Sequence, residues 1–281
     1  MLEGLTKYWG LYMVASPDIN GVGIRDVQNA LDKIGEYQDW ESDLRCFSPK
    51  QRAAQHDLNR RIASKELRKV LAARIVVFEL FLQLAIKVDG AIQEKHKRIW
   101  LLFQLYNPSE TWHPFLRIID KCLSKASSDA LDTLVNNLNH IRETYLPHRS
   151  NFILGLDEAQ QATRLYPYSF ISSNSDTVFR SIMCAIVEVF TKSPIKLVVS
   201  GTGLSLVELQ EAMASGVSKP AHNVLVYHQL GMFDTWQRLR PFLERYIPRF
   251  FLESPSGLRL QNRMREYLLG RWVNIVPFST K

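Results

Sequence analysis

Phe152-Ile153-Leu154-Gly155-Leu156-Asp157-Glu158-Ala159-Gln160 is an apolar run that ends abruptly in two carboxylates. A short apolar run without strict alternation suits a strand covered by helices on both faces. A parallel strand delivers its last residues to the carboxyl edge of the sheet, where open α/β folds place their ligands. Two readings of the acids follow: Asp157 and Glu158 form a ligand site at that edge, or they cap the first turn of the next helix, where the helix dipole favours negative charge.

Working outward, Lys196-Leu197-Val198-Val199-Ser200-Gly201-Thr202-Gly203 is a second apolar run ending in small and polar residues. The separation leaves room for an intervening helix, so the two runs suit neighbouring parallel strands. Ser200 and Thr202 would then stand beside Asp157, able to sense a bound phosphate or water; the alternative is a turn and the cap of a helix from Ser205. Trp9–Val14, Ile195–Val199 and Val224–Tyr227 complete the set of expected strands. A mostly parallel sheet in an α/β fold is the expectation.

Between the first two strands, residues from about Arg25 to Tyr145 read as almost wholly helical. The spacing predicts helices over Arg25–Ile34, Lys50–Val88, Ala91–Tyr106, Trp112–Ser124 and Asp129–Tyr145, with breaks at Gly90, at Asn107-Pro108 and at the cap signal Ser127-Ser128-Asp129. The block is too long for one crossover and reads as a helical insertion beside the sheet. Ser173-Asn174-Ser175-Asp176 reads as the start of a helix reaching about Phe190. Asp234–Leu269 alternates basic and apolar residues at helical spacing, broken near Pro248 and at Pro255-Ser256-Gly257.

The 281 residues are 46% hydrophobic and 22% charged, enough apolar material for a sizeable core. The net charge of +7 is unevenly spread. Arg52, Arg60, Arg61, Lys65, Arg68, Lys69 and Arg74 form one concentration, and Arg238, Arg240, Arg245, Arg249, Arg259, Arg263, Arg265 and Arg271 another. Such stretches suit nucleic acid, nucleotide phosphate or an acidic protein partner, or simply solvated helix faces. Cys46, Cys122 and Cys184 are too scattered for a zinc ribbon and read as reduced core thiols. Met1–Lys7 lacks the basic flank and apolar core of a secretory signal, so an intracellular protein, cytoplasmic or nuclear, is expected. Val70–Val88 is apolar but interrupted by Arg74, Glu79, Gln83 and Lys87, which reads as a core helix and not a membrane span.

Asn20-Gly21-Val22-Gly23 lacks the second half of G-x-x-x-x-G-K-[ST], and no such phosphate loop occurs anywhere in the chain. The histidines, His222 and His228 included, show no metal-ligand spacing, and no Ser-His-Asp or Cys-His arrangement is readable.

Tyr8-Trp9-Gly10-Leu11-Tyr12 running to Ala15-Ser16-Pro17-Asp18, then Gly21-Val22-Gly23, Asp157-Glu158-Ala159-Gln160, Ser200-Gly201-Thr202-Gly203 and Arg263-Met264-Arg265-Glu266-Tyr267 together resemble the P-loop NTPase domain of crinkler-type proteins from fungi and oomycetes. The resemblance implies an additional-strand P-loop NTPase-like fold using ATP and Mg²⁺. Asp157 would hold the metal through its water shell and Glu158 would polarise the attacking water. Gln160 would orient that water, and Ser200 and Thr202 would act as sensors. By position, Arg164 just after the acidic motif and Arg271 in the tail are weaker candidates to approach the γ-phosphate, and each reads first as a surface charge.

The resemblance also implies that a first strand, its Walker A loop and the start of a helix precede Met1-Leu2-Glu3-Gly4-Leu5, so the domain is expected to be N-terminally truncated. That first strand would lie between Ile195–Val199 and Val224–Tyr227. Residues 1–24 would be a partial NTPase core, 25–147 the helical insertion, 148–233 the core with Walker B and sensor strands, and 234–281 a basic helical region. The expected function is a nucleotide-dependent switch module with impaired ATP binding; the alternative is a non-catalytic module that meets protein or nucleic acid through its basic helices. No membrane partner is expected.

Overall fold

The computed structural model describes residues 2–16, 23–105, 113–146, 151–172, 175–191, 196–201 and Pro255. The chain divides into two compact units, Met1–Ala221 and His222–Lys281, and all described residues except Pro255 belong to the first. Its elements run α1 (Leu2–Lys7), β1 (Trp9–Val14), α2 (Asp26–Gly35), α3 (Pro49–Asp89), α4 (Glu94–Leu105), α5 (Pro114–Ile118), α6 (Ser128–Tyr145), β2 (Phe152–Asp157), α7 (Ala159–Arg164), β3 (Phe170–Ser172), β4 (Ser175–Arg180), α8 (Met183–Thr191) and β5 (Lys196–Val199). The unit is α/β, mostly helical, with a small parallel sheet in the order β1-β2-β5.

Register follows from burial. Trp9 pairs with Phe152 and Val14 with Asp157, while Ile153 pairs with Lys196 and Leu156 with Val199. Every residue of β1 is buried, as a strand covered on both faces requires. Gly10 is needed for this pairing, because a Cβ there would strike the Ile153 carbonyl and the Leu5 side chain.

The 41-residue helix α3 is the spine of the unit. Pro49 opens it, the Ser48 amide donates to Gln51 Oε1, and Gly90 closes it in the left-handed conformation at φ 75°. Its core face carries Leu67, Val70, Leu71, Ile75, Phe78 and Leu82, which join Trp9, Leu11, Met13, Leu154 and Leu156 of the sheet in one hydrophobic cluster. The helical block and the sheet therefore share a core.

Arg74, Asn59 and Glu66 are polar groups buried along that spine with partners. Arg74, fully buried, donates from Nε to Asp26 Oδ2 at 2.6 Å and from Nη2 to Asp26 Oδ1 at 2.7 Å; its Nη1 donates to the Tyr12 carbonyl, and its guanidinium lies over the Phe115 ring. Asn59 donates to the carbonyls of Glu41 and Ser169 and accepts from the Glu41 amide and Gln55, which ties the 36–47 loop and the approach to β3 onto α3. Glu66 accepts from Lys69 Nζ and the Tyr37 hydroxyl, both at 2.6 Å. Burial and then that hydrogen bond push the Tyr37 phenol up to about 12.

The outward edge of β1 is sealed by side chains. Trp100 Nε1 donates to the Gly10 carbonyl at 2.7 Å, Gln104 Oε1 accepts from the Tyr12 amide at 2.9 Å, and Arg74 takes the Tyr12 carbonyl. An unpaired strand edge is a template for association, and these groups occupy it.

Several expectations are revised. Residues near Ser173 do not start a helix: β3 and β4 form an antiparallel hairpin, and α8 begins only at Met183. The β-branched and aromatic residues of 170–179 (Phe170, Ile171, Thr177, Val178, Phe179) suit strands, and Ser175 and Asp176 lie within β4. The expected Trp112–Ser124 helix is α5 followed by a π-helical turn at Ile119–Leu123. Cys46 and Cys122 are exposed, so only Cys184 is a core thiol. In the first basic concentration, Arg60 forms a bidentate pair with Glu188, Arg68 meets Asp132, Lys69 meets Glu66, Arg74 meets Asp26, and Arg52 donates to the Leu44 and Phe47 carbonyls. These side chains serve the fold. Leu80, Leu84 and Val88 on α3 are exposed beside Gln83 and Lys87. Among the described residues no helix is long and apolar enough to cross a membrane. Val224–Tyr227, His222, His228 and the helices expected after Asp234 lie outside the described residues.

Removing one partner of a buried ion pair leaves the other charge uncompensated. Asp26→Ala is therefore expected to lower the unfolding free energy by about 3–5 kcal/mol in urea titration. Adding Arg74→Met to that variant should recover part of the loss, since the stranded charge is gone although the Tyr12 carbonyl loses its donor.

Glu66 supplies a pH signature. Burial opposes its charge, but the Lys69 ammonium, the Tyr37 hydroxyl and Lys33 outweigh it and hold the carboxyl below its ordinary value. A depressed folded-state pKa contributes stability above the unfolded value, about 4.3, that is lost as pH falls through the folded one. Unfolding midpoints between pH 6 and pH 3 should fall less steeply in Glu66→Gln than in the wild type.

Candidate functional site

The acidic pair stands where the parallel sheet ends. The backbone extends the ladder past the strands: the Ala15 amide donates to the Asp157 carbonyl at 3.0 Å, the Ser200 amide to the Leu156 carbonyl at 2.9 Å, and the Ala159 amide to the Ser200 carbonyl at 3.0 Å. The carboxyl ends of β1, β2 and β5 are thereby locked side by side. Asp157 sits in the middle.

Hydroxyls from both flanking strands converge on that carboxylate. Tyr12 Oη donates to Oδ2 at 2.9 Å and Ser200 Oγ to Oδ1 at 2.6 Å, while the Glu158 amide donates to Oδ1 at 3.0 Å. Tyr12 is buried, and burial first, then the neighbouring Asp157 carboxylate, pushes its phenol well above the ordinary tyrosine value. It is thus a neutral donor at any physiological pH. The three donors fix the side chain in one orientation.

Glu158 turns the chain from β2 into α7 in the left-handed region, at φ 53° and ψ 33°. For a residue with a Cβ this conformation costs about 1–2 kcal/mol, so the surroundings must enforce it. Glu158 occupies the N-cap position of α7 without making a side-chain cap, and Asp157 is spent on Tyr12, Ser200 and the next amide. The simple helix-capping reading of the pair is not what the geometry shows. The Glu158 carboxylate instead accepts a short hydrogen bond from Gln160 Nε2. Gln160 is buried, and Gly201 makes room for it: a Cβ at Gly201 would collide with Gln160 Oε1 and crowd the Ala159 amide.

Of the residues named from sequence, Asp157, Glu158, Gln160 and Ser200 are thus brought together. Arg164 ends α7, exposed. Thr202 and Arg271 lie outside the described residues. Sequence reading passed over Tyr12 as a site residue. The signal available was the register: Tyr12 lies on the strand that flanks β2, two residues short of the strand end opposite Asp157.

A carboxylate offers about four acceptor positions, and hydrogen bonds within the chain fill three of those on Asp157. Among the described residues no group of three or more His, Cys, Asp and Glu could hold a metal ion. Mg²⁺ typically keeps several waters and takes one or two carboxylates plus phosphate oxygens. The donor set makes no cage of protein ligands alone, and a Mg²⁺ arriving on a phosphate ligand would find Asp157 as the residue to hold it.

Comparison with family models, with curated proteins and with solved structures gave no match to this chain.

The Tyr12–Asp157 and Ser200–Asp157 hydrogen bonds have a half-buried charged acceptor, and each should be worth about 1–2 kcal/mol. Double-mutant cycles pairing Tyr12→Phe or Ser200→Ala with Asp157→Asn, read by urea unfolding at neutral pH, should return coupling energies in that range.

Proposed function

We propose that the chain is an ATPase-derived, nucleotide-dependent switch module, of the kind its resemblance to crinkler-type P-loop NTPase domains implies. One observation carries the reading: an aspartate at the carboxyl edge of a parallel sheet is oriented by hydroxyls from both neighbouring strands, with a glutamate directly after it. The order β1-β2-β5 among the described strands is compatible with it, since the expected first strand would lie beside β5.

When bound with a nucleotide, Mg²⁺ supplies charge neutralisation at the phosphates. The chain's own contribution is positional. Asp157, restrained by three donors, would be the residue to hold the metal in a fixed orientation. Ser200 carries its hydroxyl against that carboxylate, a position that suits a sensor. Glu158 would be the group to accept a proton from water, with Gln160 Nε2 donating to its Oε2. No stretch of the chain matches G-x-x-x-x-G-K-[ST], so the amides and lysine that grip phosphate in such enzymes have no counterpart in the sequence. Weak nucleotide binding is the consequence.

The alternative, a non-catalytic interaction module, is favoured by one observation: three of the acceptor positions on Asp157 are taken by the chain itself. Calorimetric titration of the full chain with Mg-ATP separates the two. The switch reading expects weak, millimolar-range binding that Asp157→Ala abolishes and Glu158→Gln retains. Absence of binding at millimolar nucleotide, or binding indifferent to Asp157, favours the interaction module.

A further inference from the structure

Gln104 is a fully buried amide on α4. Its Oε1 accepts from the Tyr12 amide at 2.9 Å, and its Nε2 donates to the Gly10 carbonyl at 3.3 Å and the Trp100 carbonyl at 3.4 Å. One side chain thus meets the outward groups of β1 two residues apart, as the backbone of an adjacent strand would. A leucine would fill the same space beside Trp100 but strand the buried Tyr12 amide without an acceptor. Tyr12 has both of its outward backbone groups held, the amide by Gln104 and the carbonyl by Arg74, and Arg74 is itself fixed by Asp26. The same residue carries the hydroxyl that reaches Asp157.

We propose that Gln104 is a positioning residue for Asp157, acting through Tyr12 and coupling α4 to the state of the acidic site. Gln104 sets the strand conformation at Tyr12, and that conformation brings the phenol to Oδ2. The biological meaning rests on the nucleotide-switch reading, whereas the coupling is a property of the free chain. A change of charge or occupancy at Asp157 alters the hold on the phenol, then on the Tyr12 backbone, then on the helix that clasps it. Coupling between two sites is reciprocal, so it is measurable from either end.

The test uses the full chain in two measurements. First, amide hydrogen exchange is followed by NMR at Tyr12, relative to amides of α6, in the wild type and in Asp157→Asn. Removing the charge that receives the phenol should speed Tyr12 exchange by about tenfold relative to α6, within the usual range of coupling between sites. An unchanged ratio overturns the proposal. Second, tyrosine is labelled at Cζ and the Tyr12 resonance is assigned by its loss in Tyr12→Phe. The resonance should shift in folded Gln104→Leu in the same direction as in Asp157→Asn. If Gln104→Leu merely lowers the unfolding midpoint and leaves that resonance in place, Gln104 is a structural residue only and the proposal is wrong. Should Gln104→Leu not fold, the exchange ratio decides alone. Titration of the wild type with Mg-ATP is run beside these: failure to bind defeats the nucleotide reading while leaving the exchange result to decide the coupling.

Discussion

Arg74 is the constraint on which the described unit depends. A guanidinium with no access to solvent cannot shed its charge, so every donor must be met within the protein. Asp26 supplies the counter-charge, the Tyr12 carbonyl a further acceptor, and the Phe115 ring a face. These partners belong to α2, β1 and α5, while Arg74 itself belongs to α3. Four elements far apart in sequence are thereby committed to one arrangement. Hydrophobic contacts alone would tolerate sliding of α3 along the sheet; a bidentate pair at 2.6 and 2.7 Å does not.

The elements that could be read from the chain were those whose local signals agree. Trp9–Val14 and Phe152–Leu156 are short apolar runs, and both lie in strands, the second extended by Asp157. Ser127 before the helix of Ser128–Tyr145 accepts from the Ala130 amide, as its cap signal implies, and Gly90 ends α3 in the conformation that favours glycine. What was hidden depended on pairing at long range. Arg74 looked like part of a basic face because nothing local announces Asp26 as its partner, 48 residues earlier. The β3–β4 hairpin was hidden because Ser173-Asn174-Ser175-Asp176 reads as a helix cap, whereas the pairing of Phe170 with Arg180 and Ile171 with Phe179 is at longer range.

At the acidic site the division is similar. Asp157, Glu158, Gln160 and Ser200 were named from their place after two apolar runs, and they do meet. Tyr12 was not named, since an aromatic residue inside a buried strand reads as core by default. Its hydroxyl is what makes the difference: it turns a core residue into a link between the helical block and the sheet edge. Glu158 adds a second lesson, because its left-handed conformation marks a position where backbone strain is sustained by neighbours, a property invisible to pattern and composition.

The sealing of β1 by Trp100, Gln104 and Arg74 gives the sheet a polarity. Once indole, amide and guanidinium occupy the Gly10 and Tyr12 groups, that margin cannot template another strand without first expelling them. The sheet is thus finished on one side, like a selvedge. Among the described strands the opposite margin is β5, next to Ser200 and the carboxylate that Ser200 holds.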